Sequence, residues 1–404
     1  MQATELKENF VIVNGVKKSI TYQRCNRCIS DSTCPGISFN NKGICNFCTL
    51  HDKWVKMYPN DGRGQNILNS SLEKIKRDGK GKKYDCIVGI SGGRDSTYIL
   101  HLVATKYKLR PLAVHFNDGF DNPVGGENMI NITRKLGVEL RTITSDWREA
   151  KDLKISFLKA SVPELNEGTD VGIAASCFGV AHKEGVKHLI YGQSFRTEGI
   201  KPMSWAYMVG DYLNDVQNKF GSVKLRKWTA NDPNYHLGWK ELFYYSMIKG
   251  IKAHSPLYYE NYVRKDAEEI IKREYDWVYP GAHYYDDLYW SLITYVHRVK
   301  FNIDFRLNAY SALIRDGQMD RDWAIESVKK PYVMEDPRII DLCLKRLAIS
   351  REQFDEWVAL PPKTFRDYNT GYTAMQLMRP AIKAVTKMGF MPEIVYDKYF
   401  LCGK

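Results

Sequence analysis

Two short stretches carry residue types at spacings that can do chemistry. The first, "IVGISGGRDSTYIL" (87–100), leaves an apolar run through Ser-Gly-Gly and sets Arg-Asp-Ser at the start of a helical pattern. Gly92 and Gly93 let the main chain approach an anion in dihedrals closed to other residues. Successive amides at a helix N-terminus attract negative charge. Ser91 and Ser96 add hydroxyl donors, Arg94 a phosphate-directed cation, and Asp95 a carboxylate suited to magnesium. The stretch therefore reads as a phosphate cradle, with a capped strand-turn-helix corner as the competing reading. The chain has no G-x-x-x-x-G-K-[ST], so this is not the common P-loop.

The second stretch is a pair of cysteine knuckles. Cys25 and Cys28 in "RCNRC", then Cys45 and Cys48 in "GICNFC", form two C-x-x-C pairs separated by 16 residues. Each pair can turn both sulfurs toward one point, which suits tetrahedral thiolate ligation of zinc. An iron–sulfur cluster uses the same ligands and stays open. A closed four-thiolate site leaves no position for chemistry, so its role reads as structural. Cys34, before a Pro-Gly turn, reads as a spectator. The scattered Cys86, Cys177, Cys343 and Cys402 read as small buried apolar residues.

These stretches need elements to hold them. From residue 84, short apolar runs alternate with helical patterns: strands at 84–90, 111–116, 138–144 and 187–192, helices near 95–107, 125–137 and 171–185. Such alternation predicts an α/β fold with a covered parallel sheet, and ligands there bind beyond the carboxyl ends of strands. "SGGRDS" lies at such an end. So do Asn117, Asp118 and Gly119 after the second strand, and Gly192 and Gln193 after the fourth, with Glu198 in the following loop. Asp170 opens the helix near 171–185, either as its cap or as a magnesium or substrate ligand. Beyond residue 240, "KELFYYSMIKG", "KDAEEIIKREY" and "DLYWSLITYVHRV" predict amphipathic helices whose aromatics belong to the core. The expected division is 1–70 with the knuckle, 71–240 as the α/β unit, and 241–404 as a helical substrate-binding region.

After a strand and before a helix, Ser-Gly-Gly-x-Asp-Ser resembles the PP-loop family of N-type ATP pyrophosphatases. "RCNRCISDSTCPGISFNNKGICNFC", the loop, "YGQSFRTEG", "KFNIDFRLNAYSALIRDGQMDRDWAIE" and "LAISREQFDEWVALPPKTFRDY" occur in that order. Together they resemble the N-acetyl sugar amidotransferase family of surface-polysaccharide synthesis, over residues 22–370. The resemblance implies ATP cleaved between its α and β phosphates with magnesium. An acetamido group on a nucleotide-activated sugar becomes acetamidino through an imidoyl adenylate, with ammonia from a separate glutaminase chain. It also implies that residues 91–96 hold the pyrophosphate end of ATP and residues 117–119 meet the adenosine.

Two departures stand out. Gln193 occupies a position where relatives carry the glutamate of Gly-Glu-Asn, and "YPGAHYYDD" (279–287) keeps His283 but has Ala282 and Tyr285 where relatives have lysine and glutamate. His283, Arg306 and Arg321 are candidates for contacting an anionic sugar nucleotide.

Bulk composition narrows the partners. The 404-residue chain carries a formal charge of +12, with 44% hydrophobic and 26% charged residues. This suits an anionic partner without selecting RNA. The basic run 74–85 reads as a solvated linker. There is no apolar run of about 18 residues and no signal-peptide pattern, so a cytoplasmic location is expected, with no membrane span. Residue 2 is Gln and Cys177 lies in a helix-like run, so neither offers a glutaminase nucleophile. The rival readings are a PP-loop tRNA sulfurtransferase and a zinc-ribbon nucleic-acid adaptor with a non-catalytic loop.

Overall fold

The computed structural model describes residues 10–13, 15–280, 287–330, 338–387 and 392–402. An antiparallel pair, β1 (Phe10–Val13) and β2 (Val16–Ser19), precedes the cysteine knuckle. Two helices follow, α1 (Asn46–Met57) and α2 (Gly62–Asp78). The alternating part comprises β3 (Cys86–Gly89), α3 (Arg94–His101), β4 (Pro111–Asn117), α4 (Pro123–Leu136) and β5 (Glu139–Thr144). It continues with α5 (Trp147–Ala160), α6 (Glu167–Lys183), β6 (His188–Ile190), α7 (Phe195–Glu198), α8 (Gly210–Phe220), α9 (Trp239–Phe243) and β7 (Lys252–His254). The remainder is helical: α10 (Arg264–Tyr275), α11 (Tyr289–Phe301), α12 (Phe305–Arg315), α13 (Arg321–Lys329), α14 (Arg338–Leu347), α15 (Arg351–Ala359), α16 (Tyr372–Leu377), α17 (Arg379–Lys387) and α18 (Glu393–Phe400).

The sheet is all parallel, in the order β5-β4-β3-β6-β7. The chain winds outward from β3 to β5 and then crosses back to β6, so the switch point lies beside β3, where α/β sheets bind ligands. Side chains alternate between the two faces, as the two-residue strand period requires. Ile87, Leu112, Val114 and Leu189 pack with α5, α6 and α8 on one face. Val88, Ala113 and Ile190 pack with α2, α3, α4 and α10 on the other. Sequence chemistry sets the helix ends locally. In α4, the Asn122 side chain accepts from the Val124 amide, Pro123 starts the helix, and Gly137 closes it at φ +66°.

The apolar core on the α5/α6 face draws on residues from Ile12 to Cys402. Helix α2 crosses residue 70 and packs Leu68, Leu72 and Ile75 under the sheet. Strand β7 completes the sheet beyond residue 240. The basic run expected as a linker begins as the last turn of α2, because its charges flank a helix face whose other side is buried. Helix α5 and strand β7 had not been anticipated; β7 is Lys-Ala-His, with no apolar run to mark it. Many aromatics of the helical part are core, with Tyr245, Tyr262 and Tyr289 buried, whereas Phe243, Tyr279 and Trp323 are exposed. Among the described residues, no helix is long and apolar enough to cross a membrane.

Candidate active site

The loop after β3 is held shut by its own hydroxyls. Ser91 and Ser96 Oγ lie 3.1 Å apart, the Ser91 amide donates to Ser96 Oγ at 3.2 Å, and Ser96 Oγ donates to the Gly93 carbonyl at 3.2 Å. Gly92 has φ +79°, and a Cβ there would sit 2.0 Å from the Gly125 carbonyl oxygen of α4. Only glycine satisfies both conditions. Its carbonyl accepts from Asn128 Nδ2 at 3.1 Å and Trp277 Nε1 at 2.9 Å. Gly93 is the N-cap of α3 and supplies no side-chain cap, so the helix start is open to an anion on that side. Gly192, at the end of β6, passes against the backbone of Asp95 and Ser96. Gln193 is exposed.

Arg94 departs from expectation. Its guanidinium is buried, with Nε 3.1 Å from Asp95 Oδ1 and Nη1 3.4 Å from Glu268 Oε2. A buried cation requires such partners, and the carboxylates hold it away from a phosphate-directed pose. Asp95 also accepts a hydrogen bond from the Tyr262 hydroxyl. Glu198, at the end of α7, is the second acid here. Burial, and then the charge of Asp95, push its carboxyl up to about 7. Its Oε1 accepts from the Ser194 amide at 3.2 Å. Two carboxylates brought together from the ends of β3 and β6 are the hard oxygen donors that magnesium takes.

The segment after β4 is divided in purpose. Asn117 Oδ1 accepts from the Gly119 amide at 2.7 Å, closing the turn. Asp118 is buried, 2.7 Å from Lys154 Nζ, and also accepts from the Thr169 hydroxyl. Burial works to raise its carboxyl, but the Lys154 ammonium outweighs it and holds the group below the usual carboxylate range. Asp118 is thus an internal anchor, not a group held out to a nucleotide through its carboxylate. Gly119 instead lines an open cleft of about 310 Å³ with Asp118, Thr144, Ser145, Trp147 and Arg346.

Asp170 lies within the first turn of α6, while Asn166 holds the cap position, so the capping role is corrected. Burial raises its carboxyl, with Lys201 and Lys398 nearby opposing that. Lys201, which had not been singled out, sits 5.8 Å from the Trp290 ring centre and 5.5 Å from that of Phe305. Among the described residues, Glu167 Oε2, Ser194 Oγ, Thr294 Oγ1 and His297 Nδ1 are buried polar atoms without a hydrogen-bond partner. Trp290, Thr294 and His297 follow helical spacing on one face of α11.

The four knuckle sulfurs lie within 4.8 Å of one another. Three of the separations are 3.6–3.8 Å. Tetrahedral ligation at a Zn–S distance of about 2.3 Å sets sulfurs roughly 3.8 Å apart, so the set fits one zinc ion. A cubane would have to hold four iron atoms between these sulfurs. Cys34 is buried outside the set. Cys177 is buried and its thiol is pushed up to about 12 by burial, the opposite of a nucleophile.

With this geometry in place, comparison with known proteins bears on the helical part. Residues 257–380 match the family model described as LPS biosynthesis protein WbpG-like, C-terminal domain. The match agrees with the surface-polysaccharide family whose motifs the sequence carries. The chain is also 31% identical over 127 residues to the uncharacterized protein MJ1599 of Methanocaldococcus jannaschii, across 31% of this chain. The match spans 44% of that relative's length. Among solved structures, the U34-tRNA thiolase NcsA of Methanococcus maripaludis, with its [4Fe-4S] cluster, is similar at 15% identity and TM-score 0.32, over 78% of this chain and 91% of that one. The NH3-dependent NAD synthetase of Campylobacter jejuni gives 14% identity and TM-score 0.28, over 67% and 99%. At such scores these two likenesses carry no weight for fold or chemistry.

The matched region, residues 257–380, builds much of the site. Tyr262, Glu268 and Trp277 all come from it and reach the loop after β3. No local signal marks them, since each lies more than 160 residues from its partner. Two arginines expected to contact substrate do otherwise. Arg306 forks onto Asp304 at 2.7 Å and donates to the carbonyls of Ser327 and Lys330, which ties two helices together. Arg321 donates to the Cys25 and Cys28 carbonyls at 2.8 and 3.2 Å. His283 lies outside the described residues.

Proposed function

We propose that the chain is an ATP-dependent amidotransferase that turns an acetamido group of a nucleotide-activated sugar into an acetamidino group. The observation carrying this reading is the Ser-Gly-Gly cradle at the carboxyl end of the central strand, facing Glu198, in a chain that also holds a WbpG-like domain. The amides of residues 92–96 bind the pyrophosphate end of ATP, and the Gly119 cleft takes the adenosine. Asp95 and Glu198 would hold magnesium, which neutralises phosphate charge.

An amide oxygen leaves poorly. The acetamido oxygen attacks the α-phosphorus, the bond to the β-phosphate oxygen breaks, and pyrophosphate departs. Ammonia then adds its lone pair to the imidoyl carbon, a proton is shed, and the carbon–oxygen bond breaks to release AMP. The chain contributes chiefly position and electrostatics. The wall of Lys201, Thr294 and His297 offers donors and acceptors for a polyhydroxylated acceptor. Ammonia comes from a separate glutaminase chain, since the buried Cys177 cannot serve.

The test is nucleotide product analysis with magnesium, ammonium and a panel of acetamido sugar nucleotides. AMP and pyrophosphate, formed only with an acceptor and lost in Asp95→Ala, are expected. ADP, or turnover sustained by glutamine alone, would overturn the reading.

A further inference from the structure

Arg315, the last residue of α12, is 8% exposed and lies against the knuckle. Its Nε is 3.3 Å from Cys48 Sγ, and its Nη2 is 3.3 Å from Cys28 Sγ, 4.0 Å from Cys45 Sγ and 3.1 Å from Ser30 Oγ. Among the described residues it forms no ion pair with any carboxylate. A guanidinium cannot shed its proton in a protein, and an unpaired buried charge is strongly unfavourable. Knuckle sulfurs held as thiolates by a bound metal supply the counter-charge it needs. Four thiolates around one divalent ion make a doubly negative centre, which the guanidinium half neutralises. The amides of Arg27, Ser30 and Cys45, each 3.2–3.4 Å from a knuckle sulfur, spread the remainder.

The other end of the same helix reaches the acidic pair. Asn308 Nδ2 donates to the Glu198 carbonyl at 2.8 Å. Gly199 has φ +88°, and a Cβ there would meet Asn308 at 2.8 Å, so α12 abuts the turn that carries Glu198. Seven residues of α-helix, about 10 Å, separate the two contacts. Arg196 of α7 pairs with Asp316, next to Arg315, at 3.1 Å. Ser311, between the two ends, accepts from the Ile29 amide at 3.3 Å.

We propose that Arg315 is a positioning residue: its guanidinium neutralises the four-thiolate centre, and the helix it anchors sets Glu198 opposite Asp95. The thiolate half stands alone, whereas the Glu198 half rests on the function proposed above.

The test uses the full chain loaded with cobalt(II), whose thiolate charge-transfer bands report the site directly. Arg315→Met keeps bulk and removes charge, and Arg315→Lys keeps charge. The expected result is metal loss to a chelator about 10–100-fold faster in Arg315→Met, the usual range for a lost ligand partner, with most of it restored by Arg315→Lys. Magnesium–nucleotide binding, followed separately, weakens in Arg315→Met. It weakens also in Asn308→Ala, whose cobalt bands and metal retention stay as in the parent. Metal loss at the parent rate in Arg315→Met, or equal defects in the Met and Lys variants, would overturn the thiolate half. Unchanged nucleotide binding in Asn308→Ala would overturn the relay. A parent chain that binds no nucleotide defeats the proposed function and the relay built on it, leaving the cobalt result to decide the thiolate half.

Discussion

The loop after β3 and the cysteine knuckle are both short motifs placed against distant helices, yet they manage charge in opposite ways. The knuckle carries its own negative charge and closes around it, with one buried guanidinium as counter-charge. The loop starts α3 with no side-chain cap and keeps two acids beside that helix start, one already engaged by Arg94 and Tyr262. Thiolate charge shared among a metal, one guanidinium and backbone amides makes a staple. An uncapped helix start beside two acids suits an anion and a cation together.

The comparison breaks most visibly at the knuckle. Cys28→Ser should abolish stoichiometric metal and forfeit binding energy on the order of 10 kcal/mol, read as a lower Tm and chelator-independent exposure of the remaining thiols. At the loop, Asp95→Asn should keep the fold and reduce turnover by about 10²–10³-fold, the scale for losing one preorganised charge-stabilising group; an unchanged rate would remove Asp95 from the chemistry. Gly92→Ala meets both a positive φ and the Gly125 carbonyl. It should lower stability by about 1–3 kcal/mol in denaturant titration and weaken nucleotide binding without affecting metal content.

The pH dependence sharpens the loop side. Glu198 has its carboxyl raised to about 7, so the carboxylate that magnesium needs is present above that pH and protonated below it. Magnesium–nucleotide affinity should climb by up to about tenfold per unit as pH rises toward 7, with proton release on binding. Glu198→Gln should flatten that limb. The smallest effect on catalysis is expected at Arg306, whose fork onto Asp304 is internal. Arg306→Ala should lower stability by about 1–3 kcal/mol and leave KM for the acceptor unmoved; a raised KM would return it to the substrate site.

Much of the fold was legible because strand and helix periods are local. The strands at 84–90, 111–116 and 138–144 reappear within two residues as β3, β4 and β5. Strand β7 was not legible, since three residues at a sheet edge need no apolar run. In the site, the cradle and the four cysteines were readable from spacing. The direction of Arg94 and the burial of Asp118 were not, because each is decided by a partner far along the chain: Glu268 for one, Lys154 for the other. Lys201 lies in no quoted motif, and nothing in the 300–326 stretch singles out Arg315. Their meaning comes from what surrounds a charged end group once the chain is folded.

By itself the sequence determined which atoms can converge. Cysteines with two residues between them can share a turn, and glycines after a strand can leave amides exposed, whatever the rest of the chain does. Only the tertiary structure decided what those atoms face. Electrostatic partners are chosen by burial and distance between elements packed from opposite ends of the chain, and no local pattern records that choice.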